Sequence, residues 1–535
     1  MKRESWKGEA MGHYLNPGNE GFRRALKAKI YVDKTGMIEY LNSVIGTDDG
    51  FVCVSRPRRF GKSMAANMLT AYYDRECDSQ DLFADKIISR ADDYEEHRNQ
   101  YNVIFLNMQQ ILSGAGDPEK VVSYLQKVVL EELREKYPEQ TKTRGKHLPT
   151  VLADIYMWDS GEKRGFIFII DEWDCIFREA PNNTKAQKWY LDFLKDLFKD
   201  RTYVSLAYMT GILPIKKYGT HSALNIFDEY SMTGPEIFVE YTGFTEKEVE
   251  KLCLEYGKDL EEIKNWYDGY VFPEELHIYN PKSVVDVMRS RKPKSFWTNT
   301  ETYEALQLYI DLNEDGLKEA LMQMLAGQKC KIDTGAFQND MTSFKSKDDV
   351  LTLLVHLGYL AYDEGTRAVY IPNEEVRGEF IRAIRNGGRP ELFRLLQASD
   401  ELMEATLRMD SKMVAARIQE IHSRYTAPIH YNNEQALRMV TMLAYIGRAD
   451  DYHICQELPA GTGYADIVLQ PKVNGHPYII VELKWDECVE GAIAQIKERD
   501  YLQGLKNDMG EVLLVGISYN KKTKEHFCKI ERYVL

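Results

Sequence analysis

The sequence predicts an α/β protein with a parallel sheet that is covered by helices on both faces. The first observation is a set of four short, almost wholly apolar runs: FVCVS (51–55), NVIFLN (102–107), GFIFII (165–170) and YVSLAYM (203–209). The second is that longer stretches of mixed, charged residues separate these runs, as helices separate parallel strands. The third is a return of strand-like runs near the C-terminus, which predicts a second, smaller α/β domain.

Length and composition narrow the class of protein. A chain of 535 residues is too long for one hydrophobic core, so we expect several domains. No apolar run approaches the ~18–20 residues that cross a bilayer, and no signal peptide is evident, so we expect a cytoplasmic protein without a membrane partner. The eight cysteines contain no C-x-x-C pair, which argues against a zinc site. A net charge of −14 disfavours broad nucleic-acid coating but permits a local basic groove.

A phosphate-binding loop, SRPRRFGKS (55–63), follows the first strand and precedes the predicted helix KSMAANMLTAYYD. Its end matches a Walker A loop, in which backbone N–H groups and a helix N-terminus receive phosphates. We expect Lys62 to reach the β- and γ-phosphates of ATP and the Ser63 hydroxyl to ligate Mg²⁺. The full pattern requires glycine at position 56, where Arg56 stands, so this loop must turn in another way. The residues that we expect to bind the nucleotide here are Arg58, Arg59, Phe60, Gly61, Lys62 and Ser63.

A second nucleotide motif ends the third strand. FIFIIDEWD (166–174) is typical of a Walker B strand, in which Asp171 holds Mg²⁺ through water and Glu172 is the general base. The alternative is an acidic, helix-capping turn after a core strand. The run 102–107, between the two Walker motifs along the chain, indicates P-loop NTPases with an extra central strand and a glutamate base. In that class Thr210, at the end of the next strand, is either a γ-phosphate sensor or an ordinary strand-end residue.

Six segments together resemble the AAA-ATPase-like family of bacteria, over about residues 10–300. They are IYVDKTG (30–36), RPRRFGKS (56–63), IIDEWD (169–174), YMTGILPIKKYG (208–219), WYDGYVF (266–272) and IYNPKSV (278–284). Arginine at the place of Arg56 is usual in that family, so the resemblance accounts for the missing glycine. It implies an ATPase without implying what the ATPase drives. Asp33 and Lys34 are expected near the nucleotide, although capping of the next helix explains Asp33 equally well.

The sequence predicts four domains. They are a P-loop domain at 1–242, a helical lid at 243–331, a winged-helix-like and helical connector at 332–428, and a nuclease-like domain at 429–535. The connector is predicted from the apolar helix KDDVLTLLVHL, which leads into two strands of GYLAYDEGTRAVYIPN. A basic cluster follows these strands and is either a DNA-backbone contact or a solvated helix face. Its members are Arg377, Arg382, Arg385, Arg389 and Arg394.

Acidic residues and a lysine lie on two strands near the C-terminus. Asp466 lies in GTGYADIVLQ, and Glu482 and Lys484 lie on one face of YIIVELKWD. Two carboxylates on neighbouring strands suit Mg²⁺, and the lysine can orient or deprotonate water, or neutralise the scissile phosphate. Such a pattern also occurs on solvated hairpins. Here apolar neighbours predict burial, where unpaired charges are costly, and a metal site accounts for them better.

This pattern resembles the PD-(D/E)XK nuclease superfamily over about residues 430–530. The resemblance implies that Glu434, on the preceding helix, is a further acidic ligand, and that Gln495 and Tyr501 belong to the motif on the next helix.

Together the motifs predict an ATP-hydrolysing protein coupled to Mg²⁺-dependent cleavage of nucleic acid, with DNA favoured and defence against foreign DNA as one hypothesis. The alternative is a regulatory ATPase switch whose nuclease-like domain only binds nucleic acid or a protein. A homo-oligomer is expected if an arginine from a second subunit assists hydrolysis.

Overall fold

The computed structural model describes most of the chain. The described residues are 12–141, 147–158, 164–215, 217–218, 221–222, 224–297, 303–312, 316–338, 341–342, 344–387, 390–425, 433–448, 451–460, 463–472, 475–498 and 511–534. They form two compact units. The first contains residues 1–260, 268–292 and 332–367, and the second contains 261–267, 293–331 and 368–535. The boundaries of the four predicted domains stay a prediction.

The N-terminal 292 residues alternate helices and strands. The strands are β1 (Phe51–Ser55), β2 (Val103–Asn107), β3 (Phe166–Asp171), β4 (Val204–Gly211), β5 (Lys217–Tyr218), β6 (His221–Ser222), β7 (Asp228–Tyr230), β8 (Phe244–Thr245), β9 (Tyr270–Phe272) and β10 (Leu276–Tyr279). The helices are α1 (Glu20–Leu26), α2 (Met37–Ser43), α3 (Lys62–Tyr73), α4 (Gln80–Phe83), α5 (Tyr94–His97), α6 (Met108–Ala115), α7 (Val121–Lys136), α8 (Pro138–Thr141), α9 (Leu148–Trp158), α10 (Cys175–Glu179), α11 (Thr184–Phe198), α12 (Glu246–Tyr256), α13 (Leu260–Tyr267) and α14 (Pro281–Arg289).

In the remaining described residues, the three strands before position 450 are short, and five longer strands follow after it. Their helices are α15 (Tyr303–Ile310), α16 (Leu317–Leu325), α17 (Lys347–Leu357), α18 (Glu374–Asn386), α19 (Pro390–Leu407), α20 (Ser411–Tyr425), α21 (Glu434–Tyr445) and α22 (Val489–Glu498). Their strands are β11 (Cys330–Lys331), β12 (Ala361–Asp363), β13 (Ala368–Tyr370), β14 (Tyr452–Ala460), β15 (Gly463–Pro471), β16 (Tyr478–Trp485), β17 (Glu511–Asn520) and β18 (Glu525–Val534). Among the described residues, no helix has both the length and the apolar character that a membrane crossing requires.

The main sheet confirms the predicted parallel α/β fold. Its order is β2-β3-β4-β1-β7, and every pair of neighbours is parallel. The strand that lies between β1 and β3 in space is β4, which follows both along the chain. All six residues of β3 are buried, as expected for a strand covered on both faces. The short, acidic strand β7 was not predicted, because its three residues carry no apolar run.

Helices pack onto the sheet through one continuous apolar cluster. Val54 of β1, Ile169 of β3 and Tyr208 of β4 belong to it, together with Leu41 of α2 and Leu69 of α3. This packing fixes α3 immediately after β1, so the loop that joins them lies at the carboxyl end of the sheet. That end is where open α/β sheets bind ligands.

The segment after the main sheet is helical, as predicted, but it also contains strands. A reciprocal capping box between Thr245 and Glu248 begins α12. The short strands β8, β10 and β9 form an antiparallel sheet that the sequence did not predict. The helix α17 and the strands β12 and β13 occur where the winged-helix-like pattern places them.

The C-terminal sheet has the order β14-β15-β16-β17-β18. Only β16 and β17 are parallel to each other, and α22 connects them along the chain. Ile480 of β16, Leu514 of β17 and Ile493 of α22 share one apolar cluster, so α22 covers this face. The edge strands β14 and β18 were not predicted, because polar residues interrupt them, as is common at sheet edges.

Candidate active sites

The phosphate loop turns at two residues with left-handed backbone. Arg59 has φ +70° and Gly61 has φ +89°. Gly61 is the N-cap of α3, and a Cβ atom added to it would meet no atom within 4 Å, so its backbone conformation rather than space favours glycine. The loop therefore turns after position 56, at Gly61, which the Walker pattern requires, and at Arg59, which the pattern leaves open.

Arg56 contributes through its side chain, whereas a glycine at this position would contribute only backbone flexibility. Its buried guanidinium donates to Thr242 Oγ1 at 2.7 Å, to Tyr230 O at 2.9 Å and to Ser55 O at 2.8 Å. A further contact reaches Phe238 O at 3.4 Å. Burial lowers the pKa of Arg56 to about 10, so the side chain remains protonated at neutral pH. It joins the phosphate loop to the segment between β7 and β8.

Lys62 is held by the loop that it follows. Its Nζ donates to Arg56 O at 2.9 Å and to Pro57 O at 2.8 Å. The side chain is buried, and burial lowers its pKa, while the carboxylates of Glu172, Asp174 and Asp171 act in the opposite direction. An ammonium held by main-chain carbonyls can exchange these neutral acceptors for phosphate oxygens, which bind a cation more strongly.

Asp171 ends β3 in a row of polar residues. The sheet register pairs Asn107 with Asp171 and Asp171 with Thr210. Asp171 Oδ2 accepts from Asn107 Nδ2 at 3.2 Å, and Oδ1 is buried without a hydrogen-bond partner among the described residues. Burial raises the pKa of Asp171 to about 6, and the Ser63 hydroxyl opposes this rise. A buried carboxylate oxygen close to a serine hydroxyl fits the hard oxygen ligands of Mg²⁺.

Glu172 is held by an arginine that the sequence interpretation missed. Its backbone has φ +57°, and its carboxylate accepts from Arg178 of α10. Arg178 also donates from Nε to Asp174 Oδ2 at 3.1 Å. Burial lowers the pKa of Arg178, but Asp174 and Glu172 outweigh it and raise the pKa. The i,i+4 spacing of Asp174 and Arg178 was the available signal.

Asp174 fixes the ends of two strands to each other. Its Oδ2 accepts from Ile212 N at 3.1 Å and from Leu213 N at 2.9 Å. A Cβ atom on Gly211 would lie 2.7 Å from Asp174 Oδ1, so the strand end must be glycine here. Asp174 is therefore a positioning residue for the Walker B turn.

Two other predicted nucleotide residues are used inside the fold. The Phe60 side chain is buried and packs edge-on against Tyr270, with ring centroids 5.6 Å apart, so only its main chain remains for a nucleotide. The Thr210 hydroxyl is buried and donates to Val54 O at 2.9 Å. Its role as a phosphate sensor stays a prediction. Arg58 is exposed and Arg59 half-buried at the loop surface.

Asp33 and Lys34 have structural partners. Asp33 accepts from Thr35 N at 2.9 Å and from Ile87 N at 2.8 Å, which is a turn and not a phosphate contact. Lys34 Nζ lies 2.6 Å from Glu248 Oε2. The capping alternative for Asp33 is wrong, because α2 begins at Met37, with Gly36 as its N-cap and no side-chain cap hydrogen bond.

Glu482 and Lys484 share one hydrogen-bonded group with Gln495. Lys484 Nζ donates to Gln495 Oε1 at 2.6 Å, and Gln495 Nε2 donates to Glu482 Oε1. Lys484 Nζ and Glu482 Oε1 are 3.9 Å apart. Gln495 lies on α22, the helix that follows the E-x-K strand, and its side chain contacts both residues of that strand. Tyr501, the other residue of that helix motif, lies outside the described residues.

Asp466 lies beside this group. The register between β15 and β16 pairs Ile467 with Val481, and Asp466 and Glu482 are the next residues on each strand. Asp466 Oδ2 accepts from Leu483 N at 2.8 Å, and Oδ1 accepts from Arg438 Nη2 at 2.8 Å. Glu434, at the start of the same helix as Arg438, has an exposed side chain.

The carboxylates of the C-terminal domain have the chemistry of a Mg²⁺ site, and Arg438 occupies part of it. Asp466 and Glu482 are buried oxygen donors on adjacent strands, which fits a hard divalent cation. In the described part of the chain, the one set of three ligand-type side chains with donor atoms within 4.8 Å of one another lies elsewhere, at Glu246, Asp268 and His277. There Asp268 Oδ2 and His277 Nδ1 are 2.7 Å apart, which is a hydrogen-bond distance.

The basic cluster near α18 is largely paired with carboxylates. Arg382 Nη1 lies 2.6 Å from Glu379 Oε1, Arg385 Nη2 lies 3.1 Å from Asp400 Oδ1, and Arg377 Nε lies 3.1 Å from Glu374 Oε1. Arg389 lies outside the described residues. These three arginines are thus committed within the fold, which weakens the DNA-backbone interpretation of the cluster.

The parallel sheet, the loop Gly61-Lys62-Ser63 and the pair Asp171-Glu172 define the class: a Walker-type P-loop ATPase domain. The family comparison agrees, because the family model described as "Predicted AAA-ATPase" matches residues 20–220. A second model, described as "PD-(D/E)XK nuclease superfamily", matches residues 432–527. The chain therefore combines a predicted AAA-ATPase domain with a PD-(D/E)XK nuclease superfamily domain.

Three solved structures show distant similarity to this chain. A Walker-type ATPase of Pyrococcus abyssi is 11% identical, with 65% of this chain and 94% of that chain covered and a TM-score of 0.33. The ORC2 protein of Aeropyrum pernix is 10% identical, with 65% and 93% covered and a TM-score of 0.24. Cdc6p of Pyrobaculum aerophilum is 10% identical, with 69% and 98% covered and a TM-score of 0.24. No curated protein matches the sequence.

Proposed function

We propose that this protein hydrolyses ATP at the Walker motifs and cleaves nucleic acid in a Mg²⁺-dependent reaction at its C-terminal domain. The observation that carries the proposal is the presence of two separate groups, each with two neighbouring acidic residues and a lysine. Lys62 is found with Asp171 and Glu172, and Lys484 with Asp466 and Glu482. Both phosphoanhydride and phosphodiester hydrolysis need carboxylates for a metal and a cation for phosphate charge.

At the Walker motifs, the residues divide the work of hydrolysis. Lys62 would exchange its carbonyl acceptors for the β- and γ-phosphate oxygens, and Ser63 and Asp171 would hold Mg²⁺, which neutralises phosphate charge when bound. Glu172 would accept a proton from the attacking water once its carboxylate leaves Arg178. The ion pair between Arg178 and Glu172 would have to open before Glu172 could act as the base.

At the C-terminal domain, Asp466 and Glu482 would hold Mg²⁺, with Glu434 as a further acidic ligand. Bound Mg²⁺ would polarise the scissile phosphate and acidify water. Lys484 would orient or deprotonate that water, or neutralise the phosphate. Gln495 accepts from Lys484 Nζ at 2.6 Å and donates to Glu482, which positions the lysine relative to that carboxylate. We propose DNA as the substrate. We propose that the protein acts in the cytoplasm, in defence against foreign DNA, and that it assembles as a homo-oligomer.

A second candidate function is a regulatory ATPase switch whose nuclease-like domain binds nucleic acid or protein without cutting. The contact that favours it is the 2.8 Å ion pair between Arg438 and Asp466. A nuclease-like domain that no longer binds a metal would need another cation, such as an arginine, beside this carboxylate. The two functions differ in whether Asp466 binds a metal.

Cleavage of plasmid DNA with Mg²⁺ separates the two functions. We expect wild-type protein to nick or linearise the plasmid, and Asp466→Ala and Glu482→Ala each to abolish cleavage while ATP hydrolysis continues. Asp486→Ala is the matched control, because this exposed carboxylate lies on the same segment and pairs with Lys521 at 3.2 Å. A folded wild-type protein that binds duplex but never cuts it, with Mg²⁺ or Mn²⁺, would support the switch instead.

A further inference from the structure

Arg438 lies between two carboxylates that we propose as metal ligands. It is one turn into α21, four residues after Glu434, so the two side chains share a helix face. Its Nη2 is 2.8 Å from Asp466 Oδ1 and 3.9 Å from Glu434 Oε1. One guanidinium thus contacts acidic groups from a helix and from a strand. A divalent cation at this position would need the same oxygens.

The surroundings of Asp466 explain why it holds a cation. Asp466 is 8% exposed, and burial of an unpaired carboxylate is costly. The Leu483 N–H satisfies Oδ2 at 2.8 Å and Arg438 satisfies Oδ1. Glu482 accepts from the neutral amide of Gln495 and lies 3.9 Å from Lys484 Nζ. The arginine is therefore the charged partner that compensates Asp466 in this arrangement.

Arg438 also has a way to leave. Its side chain remains 21% exposed, and that of Glu434 is 54% exposed. The guanidinium can therefore turn toward solvent and Glu434 while its helix stays in place. A cation that enters would then meet Asp466 with Oδ1 released and Oδ2 still fixed by Leu483.

We infer that Arg438 is an internal cation that competes with the divalent metal for Asp466. The inference rests on the proposed nuclease function and concerns its regulation. The arginine keeps the acidic group neutralised and the site inactive until a metal displaces it. Two other roles predict different effects of a neutral side chain at position 438. If the arginine orients Asp466 for the metal, metal affinity would fall, and if it only contacts the substrate phosphate, metal affinity would not change.

The test is Mn²⁺ binding to the full chain, measured by calorimetry without nucleotide or nucleic acid. Asp466→Ala identifies the heat that belongs to this site. Arg438→Gln and Arg438→Met, two neutral side chains that retain length, should each bind Mn²⁺ about tenfold more tightly than wild type, the scale on which partners of metal ligands act. Arg438→Lys keeps the charge and should stay closer to wild type. Arg417→Gln is the matched control, because Arg417 pairs with Glu420 on its own helix and with Glu401 on α19.

Two outcomes separate a failure of the competition by Arg438 from a failure of the proposed nuclease function. If Asp466→Ala removes Mn²⁺ binding but the neutral Arg438 variants bind equally or more weakly, the competition is wrong and the metal site stands. If neither the wild type nor any Arg438 variant shows Mn²⁺ binding that depends on Asp466, the nuclease proposal itself fails. Thermal unfolding with and without Mn²⁺ gives a second readout: the metal should raise the Tm of the neutral variants more than that of wild type.

Discussion

Arg56 occupies the position of a Walker glycine, yet its side chain connects the phosphate loop to Thr242 and to the main chain of Tyr230 and Phe238. The loop turns at Arg59 and at the second motif glycine, Gly61. A departure from the motif thus has a structural reason. The same contacts also hold the carbonyl groups that accept from Lys62, since one of them belongs to Arg56 itself.

Restoration of the motif glycine should therefore harm the protein. Arg56→Gly would leave buried carbonyl and hydroxyl acceptors without donors, and we expect a loss of about 3 kcal/mol in the free energy of unfolding. Chemical denaturation without nucleotide measures it. Arg58→Gly, at an exposed position of the same loop, is the control and should cost about 1 kcal/mol or less. Equal stability of Arg56→Gly and wild type would contradict the structural role.

Lys62 and Glu172 should fail in different ways. Lys62→Ala removes the cation for the phosphates, so both ATP binding and hydrolysis should be lost. Glu172→Gln keeps a polar side chain that cannot act as a base, so ATP binding should persist while hydrolysis falls by about 100-fold or more. Nucleotide affinity and phosphate release, measured on the same preparations, check both. Normal hydrolysis by Glu172→Gln would mean that the base lies elsewhere.

The sequence identifies residues whose role follows from a local motif, and it misses those whose role depends on a contact across the fold. Lys62, Asp171 and Glu172 each follow a recognisable strand or loop. Arg178 and Arg438 do not, because an arginine four residues after an acid is usual on any helix surface. Only the structure brings Arg438 to Asp466, on a strand 28 residues away.

At the scale of elements, burial decides which strands the sequence reveals. β3 is buried throughout and reads as one apolar run, FIFIID. β18 lies at the edge of its sheet, and its sequence EHFCKIERYV mixes charged and apolar residues. β8, β9 and β10 contain two to four residues each, too few for periodicity to be evident. Strand length and edge position thus set the limit of the prediction.

One edge strand also carries an acid-sensitive group. His526 of β18 is 6% exposed, hydrogen bonds with Gln419 Oε1 at 2.7 Å and packs against Tyr519. Burial lowers the pKa of His526 to about 3, and neighbouring His422 adds to the effect. The imidazole of His526 therefore binds a proton more readily in the unfolded chain than in the folded one. The stability that neutral His526 provides is present above pH ~6.5 and is lost as pH falls toward about 3.

The prediction is a pH-dependent difference between variants. Below pH ~6.5, wild type should lose up to about 1.4 kcal/mol per pH unit through this residue, and His526→Gln should lack that slope. Thermal unfolding between pH 7.5 and 4.5 measures the difference. His147→Gln is the control, because His147 is more than half exposed and pairs with Asp196. Parallel curves for His526→Gln and wild type would exclude this contribution.

At the scale of the whole molecule, the two proposed activities lie in separate compact units, with Lys62 in the first and Asp466 in the second. ATP can change the second unit only through a difference in its affinity for two states of the protein. Linkage then requires that bound duplex changes ATP affinity by the same factor, although rates of hydrolysis need not follow. Such coupling would let ATP control the nuclease activity that we propose.

The reciprocal effect is measurable on a variant that binds ATP without turnover. We expect duplex DNA to change the ATP affinity of Glu172→Gln, since the linkage acts on binding. Calorimetric titration of ATP with and without saturating duplex checks it. The protein carries Glu482→Ala as a second change, so that the duplex is not cut during the titration. Identical ATP affinities in the two titrations would mean that the units are independent.

We propose that the Asp466–Glu482 site cuts nucleic acid under the control of ATP at Lys62. The most direct measurement is the rate of Mg²⁺-dependent plasmid cleavage by Glu172→Gln, which should be fixed in the ATP state, beside Lys62→Ala, which should not bind ATP. Both retain Asp466, Glu482 and Lys484. We predict rates that differ clearly at saturating ATP and that both disappear when Glu482→Ala is added. Equal rates in the two variants, or cleavage that survives Glu482→Ala, would contradict the claim.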